Sequence, residues 1–126
     1  MASKGKIKKL DDLCREIVRL RDENTCQHCG KYVTGVNSHC SHVIPKSKGY
    51  VLRWDLRNLK VLCFHCHINW WHKNPREAGA WFDDTFPERA KYIDEHKEDI
   101  IHGSIREEFM SNKLEELKDE LARFKD

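Results

Sequence analysis

Leu10, Leu13, Cys14, Ile17, Val18 and Leu20 recur at three- and four-residue steps with charges between them, which predicts an amphipathic helix ending near Asn24-Thr25. Cys14 falls inside that apolar stripe with no second cysteine two or three residues away, so it reads as core. Beyond Thr25 the helical periodicity fades. Short runs at 38–44 and 59–62 predict strands, and 64–73 predicts a helix that stops before Asn74-Pro75. Thr85 and Glu88 have capping-box spacing with Pro87 between them, which predicts a helix over 86–101 that Gly103 ends. Ser104 and Glu107 repeat the spacing, and Met110, Leu114, Leu117, Leu121 and Phe124 then form a narrow seam with steps of four, three, four and three.

At 126 residues, 39% hydrophobic and 35% charged, the chain fits one modest α+β domain with a helical extension. A two-domain enzyme with a separate cofactor domain is excluded. No run approaches the roughly 18 to 20 apolar residues of a bilayer span, and residues 1–6 lack the apolar stretch of a secretory signal. The expectation is a soluble, cytoplasmic protein with no membrane partner. Charge divides the chain: residues 1–76 carry 15 Lys+Arg against 6 Asp+Glu, net +9, and residues 77–126 carry 8 against 15, net −7. This predicts a basic domain over 1–76 that meets polyanions favourably and an acidic helical tail over 77–126.

Five of the six cysteines and six of the eight histidines fall between Thr25 and Pro75, where little apolar core is available, so a metal is the natural organiser. Cys26-Gln27-His28-Cys29 and Cys63-Phe64-His65-Cys66 are two CxxC knuckles separated by 33 residues. Two knuckles complete a tetrahedral sulfur site with no position open to water, as structural Zn²⁺ prefers, whereas a thiol redox motif needs only one pair. His28 and His65, inside the knuckles, are expected to point outward as surface or phosphate-contacting groups. Trp54, Trp70, Trp71 and Trp81 read as core in preference to base-stacking groups.

Between the knuckles lie His39-Cys40-Ser41-His42-Val43-Ile44-Pro45 and Asp55-Leu56-Arg57-Asn58-Leu59, and His67 follows the last cysteine. In this order the motifs over about 26–72 resemble the HNH, or ββα-metal, nuclease superfamily in its zinc-stapled form. More loosely, Ile17-Val18-Arg19-Leu20-Arg21 and His39-Cys40-Ser41-His42 resemble the phage NinG/Rap recombination nucleases. The resemblance implies a metal-dependent DNA endonuclease, acting on branched recombination intermediates in a bacterial host cell if the looser likeness holds. The alternative is a zinc-containing module that binds nucleic acid without cleaving it.

Phosphodiester hydrolysis at neutral pH needs a base for water, a cation at the phosphate and a frame for both. An unperturbed imidazole titrates near pH 6.5, so His42 suits the base. The resemblance places Asn58 as the loop brace that orients it and His67 as a ligand to a catalytic divalent cation, Mg²⁺, Mn²⁺, Ni²⁺ or Zn²⁺. Where most of that superfamily has Asp or His before the base, this chain has Ser41. His39, on the same strand face as Ser41, or Cys40 at a bulge, is the candidate substitute. His72 is a further candidate, although five residues from His67 is about 140° around an α-helix and poorly placed for one ion. Lys46, Lys48, Arg53, Arg57, Lys60, Lys73 and Arg76 are expected phosphate contacts. The seam near the end predicts a homodimer helix or, equally, a brace folded back on the same chain.

Overall fold

A computed structural model describes residues 3–125. Helix α1 (Ser3–Arg21) buries Leu10, Cys14, Ile17 and Val18, the stripe that the spacing marks out. It ends where Asn24 turns left-handed, φ 53°, and its amide returns to the Arg19 carbonyl at 2.9 Å. Asn is among the few non-glycine residues that accept this geometry readily.

Strands β1 (His39–His42) and β2 (Leu59–Leu62) pair antiparallel, with His39 opposite Leu62, Ser41 opposite Lys60 and His42 opposite Leu59. All four residues of β2 are buried, so a half-exposed alternation does not apply to it. Its outer edge is capped from the end of α1. Asp22 accepts the Val61 amide at 2.9 Å, while Arg21 donates to the Leu56 and Leu59 carbonyls, both at 2.7 Å. A buried edge with its backbone groups satisfied costs little.

Next comes a short helix, His65–Trp71, wound more widely than an α-helix, with the His72 amide bonded to the His67 carbonyl five residues back at 3.1 Å. Helices α2 (Pro75–Thr85) and α3 (Pro87–His96) follow. The single helix expected over 86–101 is therefore corrected. Thr85 belongs to the last turn of α2 and caps nothing, because Phe86, preceding a proline, is held out of the helical region (φ −128°, ψ 63°) and splits the segment. The second helix also stops early, before Glu98 and Asp99, whose charges oppose the negative end of its dipole. Phe82 of α2 and Ile93 of α3 pack with Leu52, Val43 and Ile44, and so hold the loop after β1.

Helix α4 (Arg106–Lys125) lies along α1. Met110 and Leu117 join the buried cluster of Leu10, Cys14, Ile17 and Val18, with Leu114 and Leu121 packed at its margin. Ion pairs Lys6–Glu107 (2.9 Å) and Glu16–Lys125 (3.0 Å) mark the two ends of a parallel pairing. Four of the five seam residues thus pack within the chain, in the manner of the brace, and Phe124 at the end stays exposed. The change of charge at residue 76 is not a change of packing, since one core draws on both sides of it. Among the described residues, no helix is long and apolar enough to cross a membrane.

Candidate active site

The two knuckles converge. Among the described residues, Cys26, Cys29, Cys63 and Cys66 are the one group of three or more metal-ligating side chains whose ligand atoms all lie within 4.8 Å of one another. Gly30, at φ 80°, closes the first knuckle, and its amide bonds the Cys26 carbonyl at 2.9 Å; a side chain there would be strained. In the second, the Cys66 amide donates to Cys63 Sγ at 3.4 Å. Burial raises the pKa of the Cys66 thiol, so four thiolates at this spacing need a cation among them. The cluster fits a structural metal, and four converging sulfurs match the preference of zinc.

His28 lies exposed at the surface but also reaches the clamp. Its ring stacks on Trp70 at 3.6 Å, and Nδ1 lies 3.3 Å from Cys66 Sγ, which makes it an outer partner of the clamp.

A few residues away, His42 lines two adjoining cavities of about 260 and 600 Å³, together with Cys40, Lys46 and His67. His42 Nε2 meets the Arg53 carbonyl at 3.2 Å. A carbonyl only accepts, so Nε2 carries the proton and Nδ1 keeps its lone pair. Burial, reinforced by the charge of Lys46, lowers its pKa to about 4, so the ring is neutral at pH 7. Asn58 is fully buried; Oδ1 accepts the Ile44 amide at 2.8 Å, and Nδ2 donates to the Ile44 and Leu52 carbonyls at 3.1 and 3.0 Å. One amide therefore pins both ends of the loop between His42 and Arg53. A knuckle-clamped strand pair, a buried Asn brace and histidines at the strand end and on the following helix complete the arrangement.

Residues 26–70 match the HNH endonuclease family model. Searches of curated proteins and of solved structures return no match. The matched stretch is a small HNH ββα unit of two strands and a helix with the cysteine cluster beside it, and α1, α2, α3 and α4 lie outside it. The match supports a nuclease-type, nucleic-acid-related function.

Three imidazoles touch in series, two of them inside the matched stretch and His72 just beyond it. His39 Nδ1 lies 2.8 Å from His67 Nδ1, and His67 Nε2 lies 3.1 Å from His72 Nε2. The far nitrogen of His39 meets the Val36 carbonyl at 3.0 Å. With every ring neutral, one set of tautomers satisfies all three contacts: His39 donates to Val36, His67 Nδ1 to His39, and His72 Nε2 to His67. The wide winding brings His72 back over His67, so the 140° separation expected of an α-helix does not apply. Burial and the neighbouring His72 and His39 lower the pKa of His67 to about 4.

Ser41 and Lys60 form the wall behind the cleft. Both are fully buried, and Lys60 Nζ donates to Ser41 Oγ at 3.0 Å while lying 3.4 Å from the centre of the Trp71 ring. Burial lowers the Lys60 pKa to about 7. Lys60 is therefore no phosphate contact. It is masked because β2 is covered on both faces. Cys40 shows no bulge, and burial raises its thiol to about 11.

The remaining cations scatter. Lys46 and Arg53 line the cavity beside His42, and Lys48 borders an adjoining depression with Arg106. Lys73 and Arg76 are exposed where the wide helix gives way to α2. Arg57 stands apart: it forks onto Asp55 at 2.9 and 3.0 Å, lies 3.4 Å over Tyr92, and borders a separate depression with Glu116 and Glu120. Its charge is already matched, which removes it from the expected phosphate track. Sequence reasoning missed Asp11 of α1, which lines the His42 cavity; its partners are 42 and 43 positions away, beyond any local motif.

Proposed function

We propose that the protein is a metal-dependent DNA endonuclease with His42 as general base. The supporting observation is the Arg53 carbonyl on His42 Nε2, which leaves Nδ1 as the basic nitrogen of a neutral ring in a cleft shared with His67. His42 takes a proton from water as the water attacks phosphorus, and Asn58 keeps the base on its loop. Lys48, with Lys73 and Arg76 further out, holds the phosphate backbone, while Lys46 and Arg53 border the base and are paired with Asp11.

The divalent ion, when bound, supplies charge at the scissile phosphate and the leaving oxygen. His67 and His72 would hold it through their facing Nε2 atoms, with the His72 proton moved to Nδ1. His39 accepts the other N–H of His67 and fixes that ring. Ser41 is buried on Lys60 and takes no part. A donor set of neutral imidazoles favours Ni²⁺ or Zn²⁺ over Mg²⁺.

A single site of this kind nicks one strand. Zinc-loaded protein incubated with linear, nicked and branched DNAs and each of Mg²⁺, Mn²⁺, Ni²⁺ and Zn²⁺ tests the reading. Cleavage strongest with Ni²⁺ or Zn²⁺ is expected, and preference within the panel identifies the DNA structure acted on. Binding without cleavage under every metal would leave a nucleic-acid-binding module instead.

A further inference from the structure

Asp11 projects from α1 into the wall of the 260 Å³ cavity that holds His42, His39 and His67. Its carboxylate takes hydrogen bonds from Arg53 Nε at 3.2 Å, Arg53 Nη2 at 2.8 Å and Trp54 Nε1 at 2.7 Å, and Lys46 Nζ stands 3.8 Å away. Burial works to raise its pKa, but these bonds and the charges of Lys46 and Arg53 outweigh it and hold the carboxyl below the usual range. Asp11 is therefore ionised, and it grips two consecutive residues of one loop.

That loop carries the carbonyl on which His42 depends. Asn58 fixes Leu52 on one side through the Leu52 carbonyl, at 3.0 Å. Asp11 fixes the side chains of Arg53 and Trp54 on the other. The Arg53 carbonyl, 3.2 Å from His42 Nε2, lies between the two anchors. We infer that Asp11 is a positioning residue, which sets the His42 tautomer through the Arg53 peptide and holds Arg53 and Lys46 back from the phosphate. The assignment of its effect on cleavage rests on His42 being the base.

Two consequences distinguish this role from that of a plain strut. Neutralising Asp11 releases two cations beside the cleft, so DNA should bind more tightly while turnover falls. A strut would lower thermal stability and leave affinity and turnover of the folded protein alone.

The test uses full-length wild type, Asp11→Asn and Asp11→Ala, with Asp119→Asn on the exposed face of α4 as a control for net charge. Imidazole ¹⁵N spectra report the His42 tautomer, fluorescence anisotropy the affinity for a DNA duplex, and saturating-substrate cleavage the turnover. The wild-type ring should be protonated at Nε2, and both Asp11 variants should show a mixture of tautomers. Their DNA affinity should rise severalfold and turnover fall about tenfold or more, the usual cost of losing an outer partner. Asp119→Asn should match wild type in all three. A wild-type ring protonated at Nδ1 overturns the inference, as do Asp11 variants with an unchanged tautomer and unchanged affinity. If a variant fails to fold, the wild-type spectrum decides. Should the wild type cleave no DNA while tautomer and affinity shift as expected, the nuclease reading falls and the tether by Asp11 stands.

Discussion

The cysteine cluster and the histidine cleft adjoin within one small unit, yet they are built to opposite plans. At the cluster, four ligand atoms lie within 4.8 Å of one another and three of the four residues are buried. At the cleft, the imidazoles touch in a line through both nitrogens of His67 and face open space. Convergence with closure holds a fold; a partly filled set beside a cavity leaves positions for water and phosphate. The HNH unit uses the first to set the backbone for the second, since Cys66 and His67 are neighbours in sequence.

The strongest way to break this contrast is to open the clamp. Cys63→Ser, or removal of metal by a chelator, should unfold the HNH unit, because the cysteines sit inside the buried cluster and binding of their metal is coupled to folding. Circular dichroism and metal content measure it; a folded Cys63→Ser protein would show that the helices alone suffice. Leu117→Ala asks how far they share the load. It empties a buried position between α4 and α1 and should cost about 3 kcal/mol in denaturant unfolding, with the protein remaining a monomer in sedimentation. A negligible cost would put the seam outside the core.

His67→Ala sharpens the other side. Affinity for Ni²⁺ at the cleft, measured calorimetrically on zinc-loaded protein, should fall about a hundredfold, the upper end of what even an outer partner is worth. The four-sulfur site should keep its metal. Loss of both metals together would mean the two regions are one site.

The smallest effect expected is that of Lys60. Its folded pKa of about 7 lies below the ordinary lysine value of 10.5, so between those limits the unfolded chain binds more protons and stability rises with pH. Lys60→Met should remove that rise and stabilise the protein by about 1 kcal/mol at pH 7, as replacement of buried charge often does. An unchanged slope would place the ammonium in solvent.

The knuckles and the apolar stripe of α1 were legible because each depends on spacing alone. The burial of Lys60 was not, because Leu59-Lys60-Val61-Leu62 reads as an ordinary strand until packing covers both of its faces. Nor does any local pattern announce the wide winding of His65–Trp71, which turns a poor five-residue spacing into a 3.1 Å contact. The capping box at Thr85 and Glu88 misled because Pro87 constrains the residue before it more strongly than a cap attracts. Asp11 stayed hidden for a different reason: its role arises only when α1 meets a loop some 42 residues on.

Base-catalysed hydrolysis at the cleft, as opposed to binding of DNA alone, depends on His42. The most direct measurement compares wild type with His42→Ala in one experiment, following nicking of a supercoiled plasmid with Ni²⁺ while affinity for the same DNA is recorded. Wild type should convert supercoiled plasmid to nicked circles, and His42→Ala should lose about a hundredfold or more in rate, on the order of a missing general base, with affinity and zinc content unchanged. Nicking by His42→Ala at the wild-type rate would contradict it.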